Sequence, residues 1–205
     1  MTWMDRRTYL DIVGTLPTGV TVVTTLDHAG RPHGMTVSAV CSVSADPPIL
    51  LICIDRRSRT LRLIRDAGSF AVNFLRGDRA AIGQRFGSPD PDRFSGVNWQ
   101  PASANGVPVL VDDALSHAAC RTLQEIEAGD HLILIGLVES GSPPPPLSRP
   151  LTYFRRQYGP WAGEVRFPGA SDTRLALECE PMSECPSGRG GLHSDAAAQA
   201  LRNNP

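Results

Sequence analysis

Lysine is absent from this chain of 205 residues; all 20 basic residues are arginine. A Schiff-base mechanism therefore has no amine to work with, and the bias itself reads as coding preference more than function. Aromatics make up only 6% of the chain, and no apolar run approaches the roughly 18 residues that crossing a bilayer requires. Cysteine is sparse: Cys41, Cys53, Cys120, Cys179 and Cys185 are odd in number, widely spaced and without a CxxC pair. That argues against a disulfide framework or a zinc site. The histidines, His28, His33, His117, His131 and His193, are scattered. No GxGxxG follows a strand, and Walker A, GxSxG and HExxH patterns are all missing, so Rossmann, hydrolase and metalloenzyme readings lack their motifs. With a net charge of −1 there is no basic field to attract nucleic acid. Residues 1–7 are polar and unlike a signal peptide. The expectation is a reduced, soluble, cytoplasmic protein.

What is present suits one globular domain with a proper core: 41% hydrophobic and 20% charged residues. Tyr9, Ile12, Val13 and Leu16 recur at helical spacing and predict a short amphipathic helix, ended by Pro17 and Gly19. Residues 20–26 are β-branched and predict a strand, 27–32 a turn, and 33–44 one further long strand that Pro47 and Pro48 terminate. Residues 49–54 predict a buried strand, so that the three form a meander. Ser58 is placed to cap a helix over 59–66, with Leu61 and Ile64 facing inward and Gly68 ending it. Strands are expected at 70–75, 114–127 and 131–139, the last two forming a hairpin at Ala128-Gly129-Asp130. A second short helix is expected at 78–86, a loop at 87–106, a stiff polyproline spacer at 143–146 and a final patterned segment at 151–158. Cys41, Cys53 and Cys120 read as buried small hydrophobes. Eleven of the 47 residues from 159 onward are Gly or Pro, which predicts a weakly ordered extension over 159–205, with one possible edge strand at 174–180. The order of elements is mainly β and antiparallel, and favours a closed or half-closed barrel over a doubly wound fold.

The run from Gly34 to Pro48 is unusual for a core strand. Thr, Val and Ser recur where bulky residues are expected. Small side chains let a flat heterocycle lie close to exposed amides and hydroxyls; the alternative is an ordinary strand in which Thr and Ser serve β propensity. Ser58 and Thr60 stand at a helix N-terminus beside Arg56, Arg57 and Arg59, a setting for a phosphate or simply for a cap and solvated charges. Asn73 is a polar residue within a strand and needs buried partners.

These pieces occur in a recognisable order: Gly19-Val20-Thr21-Val22-Val23-Thr24-Thr25, then Gly34-Met35-Thr36-Val37-Ser38-Ala39-Val40-Cys41-Ser42-Val43-Ser44 and Asp46-Pro47-Pro48. Phe70-Ala71-Val72-Asn73-Phe74-Leu75, Gly129-Asp130-His131, and Pro150-Leu151-Thr152-Tyr153 with Tyr158 follow. Over residues 9–159 the chain resembles the short-chain flavin reductase family, the reductase components of two-component flavin monooxygenases. The resemblance implies an FMN-binding split barrel, a Greek-key-type antiparallel barrel with short flanking helices, spanning residues 1–158. It also implies reduction of free FMN or FAD by NADH or NADPH, a homodimer, and delivery of reduced flavin to a separate monooxygenase.

The family's flavin-contacting strand falls on Thr36, Val37, Ser38, Ala39, Val40 and Ser42. Its phosphate-binding hydroxyls fall on Ser58 and Thr60, with Cys53, Ile54 and Asp55 lining the groove through their backbone. Arg85 and Phe86 match a position near the flavin's phosphate or adenine end, although Phe86 equally suits the inner face of its helix. His131, Arg156 and Tyr158 match residues beside the pyridine nucleotide; each also has a plain structural reading. Hydride transfer needs no side-chain acid, base or nucleophile, only the nicotinamide C4 held about 3–3.5 Å from flavin N5. That accounts for the missing catalytic motifs. Two other readings remain: a flavin carrier or sensor without turnover, and a module that recruits an oxygenase, with the proline run as a docking ligand.

Overall fold

Thr21-Val22-Val23-Thr24-Thr25-Leu26 is too β-branched for a comfortable helix, and its hydroxyls need partners once buried. It forms a strand whose first five residues are all buried. Thr21 Oγ1 donates to the Val37 carbonyl at 2.6 Å and Thr25 Oγ1 to that of Ser69 at 2.9 Å. The computed structural model describes residues 3–146 and 148–162, all within the first of two units, Met1–Arg166.

Among the described residues the helices are α1 (Arg6–Val13), α2 (Arg59–Ala67) and α3 (Ala80–Gly87). The strands are β1 (Thr18–Gly19), β2 (Thr21–Leu26), β3 (Pro32–Val37), β4 (Val40–Ala45), β5 (Pro48–Asp55) and β6 (Ser69–Leu75), then β7 (Trp99–Pro101), β8 (Pro108–Leu110), β9 (Ala114–Ala128), β10 (His131–Ser142), β11 (Leu151–Phe154) and β12 (Gln157–Pro160). The main sheet runs β3-β2-β6-β9-β10-β5-β4, and its pairings are antiparallel. Two small sheets, β1-β11-β12 and β7-β8, complete it. The expectation of a mainly β, antiparallel fold holds.

The single strand expected over 33–44 does not. Its first half pairs with β2 and its second half with β5, so β3 and β4 are the opposite edges of the seven-stranded sheet. Ser38 and Ala39 join them. In a flat sheet those edges would lie about 29 Å apart, whereas three Cα steps reach at most about 11 Å. The sheet must therefore coil until its edges approach. No ladder joins β3 to β4, so the meander is broken there. The junction is tied instead to β5, where the Cys53 amide donates to the Ala39 carbonyl at 3.0 Å.

Inside the coil lie Ile52, Ile54, Leu61, Ile64, Phe70, Leu132 and Leu134, each at most 1% exposed. Helix α2 closes one side with Leu61 and Ile64, as its periodicity predicts, and ends on Gly68 at φ 68°. Each such aliphatic side chain contributes about 1.5–3 kcal/mol by leaving water. A second cluster packs Phe86 with Val20, Val22, Leu75, Leu110 and Leu151.

Three further expectations change. Helix α1 is capped by Asp5, whose carboxylate accepts the Arg7 and Thr8 amides at 3.0 Å, yet none of its residues is buried. Tyr9, Ile12, Val13 and Leu16 remain exposed; the apolar stripe has no partner of its own within the described residues. Of the cysteines thought buried, Cys120 is, Cys53 is half-buried and Cys41 is exposed, because Cys41 points outward from an edge strand. The segment 151–158 is a hairpin whose ladder reaches Pro160, two residues beyond the expected domain limit. The extension from 163, the strand at 174–180, Cys179 and Cys185 lie outside the described residues.

Candidate functional site

The β3–β4 junction has small side chains on a backbone held from one side only. Ser38 and Ala39 are exposed and Val40 is half-buried. A groove of about 700 Å³ opens along them, walled by Cys53 and Leu51 of β5, by Leu10, Val13 and Leu16 at α1, and by Tyr153 and Arg156. Burial, and secondarily the neighbouring Cys41, pushes the Cys53 thiol above its usual range, so it is a neutral wall and not a nucleophile. A second groove of about 440 Å³ shares Ser38 and Val40 and adds Ser42, Thr21, Phe74 and Val138. The junction is thus accessible from two sides.

The first residues of the expected flavin strand do other work. Val37 is 5% exposed and belongs to the core. Thr36 Oγ1 donates to the Gly83 carbonyl at 2.6 Å, fastening β3 to α3. Ile54 also points into the core, at 1% exposure.

The start of α2 stands at a separate, more polar cavity. Ser58 occupies the N-cap position but makes no side-chain capping bond; its hydroxyl lies 3.2 Å from the Met35 sulfur. The first amides of α2 are left without that cap, with the positive end of the helix dipole behind them. Buried Thr60 lines a cavity of about 250 Å³ together with Arg59, His33 and Arg93, faced by Asp90 and Asp92. Asp55 turns back on its own loop, accepting the Arg57 amide at 2.8 Å and the Arg57 guanidinium at 2.9 Å. Those bonds, with the Arg57 side chain the largest cause, hold its carboxyl at about 2. Arg56 pairs with Glu127 at 3.3 Å. Arg59 has no acidic partner among the described residues, so of the three arginines it is the one available to an anion.

Phe86 takes the inner face of α3, wholly buried and edge-on to Phe94 with centroids 5.0 Å apart. Arg85 donates to the Ser95 carbonyl at 2.8 Å. His131 sits opposite Asp55 in the β10–β5 ladder, with Nδ1 2.7 Å from the Asp130 carboxylate. Arg156 lines the large groove. Tyr158 is half-buried against Tyr153, 4.9 Å between centroids, and burial raises its phenol. Within one chain these three face different neighbours: the α2 turn, α1 and α3.

Sequence reasoning missed the apolar walls Leu10, Val13, Leu16, Leu51 and Tyr153. They come from elements far apart in the chain. The one usable signal was the apolar stripe on a helix too short to be stable alone. It also missed Arg93, whose guanidinium donates to the carbonyls of Gly34, at 2.8 Å, and Ser88, holding the loop after α3 against β3.

Residues 13–162 match the model of the flavin reductase like domain. Among similar curated proteins, a flavin reductase (NADH) of Kitasatospora aureofaciens is 52% identical over 161 residues, covering 78% of this chain and 84% of the relative. A flavin reductase (NADPH) of Lentzea aerocolonigenes is 40% identical over 166 residues, covering 80% and 93%. Among solved structures, nitrilotriacetate monooxygenase component B of Mycobacterium thermoresistibile superimposes with a TM-score of 0.73 at 32% identity, covering 83% of this chain and 97% of that one. A domain match over most of the chain, close relatives along nearly their whole length and a shared fold agree with the junction geometry, and the chain belongs to the flavin reductase like family.

Proposed function

We propose that this protein is an NAD(P)H:flavin oxidoreductase of the cytoplasm. It moves hydride from NADH or NADPH to free FMN or FAD and releases the reduced flavin to a separate flavin-dependent monooxygenase. The observation that carries this reading is the junction of Ser38, Ala39 and Val40: small side chains, accessible peptide groups and a groove of about 700 Å³ alongside. A ring system fits there, and no acid, base or nucleophile is needed. The bound flavin would supply the hydride acceptor, and the reduced nicotinamide the donor. The chain's own residues position and desolvate. Ser38, Ala39, Val40 and Ser42 offer amides and hydroxyls to the ring edge. Ser58, Thr60, Arg59 and the uncapped start of α2 take the phosphate. His131, Arg156 and Tyr158 serve the pyridine nucleotide.

The coiled sheet with unpaired, covalently linked edges supports the split-barrel description. A homodimer is favoured by its outer face. Cys41, Leu51 and Ile135 form one cross-strand row, and Cys53, Ile133 and Ile126 the next. An antiparallel sheet that faces water normally turns polar residues outward; on β5 and β10 this one turns Leu51, Cys53, Ile133 and Ile135 outward instead. A second copy covering that face would also bring groups from another chain toward the groove, where one chain separates His131, Arg156 and Tyr158.

The test is oxidation of NADH and NADPH by the purified protein with added FMN or FAD. Flavin-dependent loss of the nicotinamide absorbance above the protein-free background is expected. Tight flavin binding with no such loss would leave a carrier or sensor and sink the reductase reading.

A further inference from the structure

Strands β11 and β12 are joined by two residues, Arg155 and Arg156, with Phe154 opposite Gln157 closing the turn. Their φ values are 46° and 65°. A two-residue turn with both φ positive is the type I′ geometry, which prefers Asn-Gly because Cβ crowds the backbone carbonyl there, a cost that Gly avoids and Asn offsets by local hydrogen bonding. Among the described residues these are the non-glycine positions in the left-handed region. Two long cationic side chains therefore occupy the conformation least suited to them. Backbone strain of this kind persists where the surroundings over-determine it, and clusters at ligand sites. Here it is pinned from outside: the Arg155 amide donates to the Gly14 carbonyl at 3.1 Å, anchoring the turn to the end of α1.

The turn sits at the rim of the proposed cofactor groove. Arg155 and Arg156 line a hollow of about 350 Å³ with Leu10, Asp11, Gly14 and Thr15. Leu10, Gly14 and Arg156 also line the 700 Å³ groove, so the two spaces share a wall. The Arg155 guanidinium lies 5.5 Å over the Phe154 ring and has no carboxylate partner among the described residues. Arg156 has one loose partner, Asp11, at 3.9 Å, with both side chains well exposed. Two cations face one carboxylate at the mouth of an apolar slot.

We infer that the Arg155–Arg156 turn is a clamp for the pyrophosphate of the pyridine nucleotide, holding it at the rim while the nicotinamide enters the groove. This rests on the reductase reading. Two adjacent guanidinia offer forked donors to two linked phosphates. The pyrophosphate is common to NADH and NADPH, so the clamp acts on both alike. Asp11 opposes the bound anion and loosens the clamp.

The experiment compares wild type with the double variant Arg155→Asn/Arg156→Gly, which keeps the turn and removes the charges, and with Asp11→Asn. Three readouts are taken: KM for NADH, NADPH and phosphate-free reduced nicotinamide riboside; calorimetric titration of NAD+; and the melting temperature. In the double variant KM for NADH and NADPH should rise by at least about tenfold, the scale of losing charge-assisted phosphate bonds, while turnover of the riboside keeps its wild-type efficiency. NAD+ binding should weaken to match, and the melting temperature should rise as the strain is relieved. Asp11→Asn should lower KM for both dinucleotides. Equal losses on riboside and dinucleotide, a larger change in the flavin's KM than in the nucleotide's, no change at all, or a lower melting temperature would each overturn the clamp. If wild type oxidises none of these donors, the reductase reading falls by itself. The NAD+ titration then decides the clamp: at least about tenfold weaker binding by the double variant upholds it, and equal binding overturns it.

Discussion

The hydroxyl of Ser58 lies 3.2 Å from the sulfur of Met35 and makes no capping bond to the helix it precedes. The pair joins the start of α2 to β3, one residue before Thr36. It leaves the first amides of the helix for another acceptor.

Ser58→Ala should therefore cost less than about 0.5 kcal/mol of stability, below the ~1 kcal/mol usual for a lost N-cap. Flavin affinity should fall by about 1 kcal/mol, or roughly fivefold in Kd, if the hydroxyl turns to the phosphate on binding. Urea titration and flavin fluorescence titration read the two effects separately. Unchanged affinity would take Ser58 out of the site.

Asn73 is wholly buried and fully partnered. Its Nδ2 donates to the Val22 carbonyl at 3.0 Å and the Thr24 hydroxyl at 3.1 Å, and its Oδ1 accepts the Leu110 amide at 2.9 Å. It ties β6 to β2 and β8, a scaffold role. Asn73→Ala strands those groups and should cost about 2–4 kcal/mol, seen as a lower urea midpoint with the same slope. A loss under about 1 kcal/mol would mean that water replaces the amide.

Asp27 gives the fold an acid-sensitive corner. Its carboxylate accepts the Ala29 and Arg31 amides at 2.9 Å, the Arg31 Nε at 2.8 Å and the His33 ring at 3.2 Å. These bonds, the Arg31 amide foremost, hold its carboxyl far below the usual range. A depressed carboxyl stabilises the fold fully above its unfolded value near 3.9, and that stabilisation disappears as pH falls through the folded value. Wild type should out-melt Asp27→Asn at neutral pH, and the gap should shrink progressively below about pH 4. A gap that stays constant with pH would show that geometry, not charge, is what the variant removes.

Ile135 stands in the middle of the apolar outer face, between Leu51 and Gln124. Ile135→Glu places a charge there with little effect on the interior. Sedimentation should show a dimer for wild type and a monomer for the variant. Wild type sedimenting as a monomer would contradict the homodimer.

Local chemistry made much of this fold legible. Leu61, Ile64 and Gly68 announce α2 because helix periodicity and a left-handed C-cap are written in adjacent residues. Gly129 marks the β9–β10 hairpin for the same reason. The break at Ser38 and Ala39 was not visible, since strand propensity is high on both sides and the cause is that the halves join separate hairpins, which the long-range β2–β6 and β5–β10 pairings put at opposite edges of the sheet. Exposure of Cys41 and of the α1 stripe was hidden likewise: both look like core in a linear pattern, and only the sheet order places them outside. In the candidate site, the strand 36–42 and the helix start at 58–60 were named from sequence; the structure sets a groove beside 38–41 and puts Val37 in the core. The apolar walls were not named, being assembled from distant segments. The small β7–β8 ribbon, which begins inside the expected 87–106 loop and ends just beyond it, was missed although Asn105-Gly106 marks its turn, because its strands are only three residues each.

The two-residue bridge between the outermost strands also orders events during folding. Strands β2–β3 and β4–β5 can each pair early from nearby chain, but the two hairpins come into one sheet only when β5 has found β10, some 80 positions further along. Until both halves exist there is no shelf for a cofactor to rest on. A ligand held there recognises only the finished molecule, so its binding energy is added wholly to the native state and none of it to half-built chains.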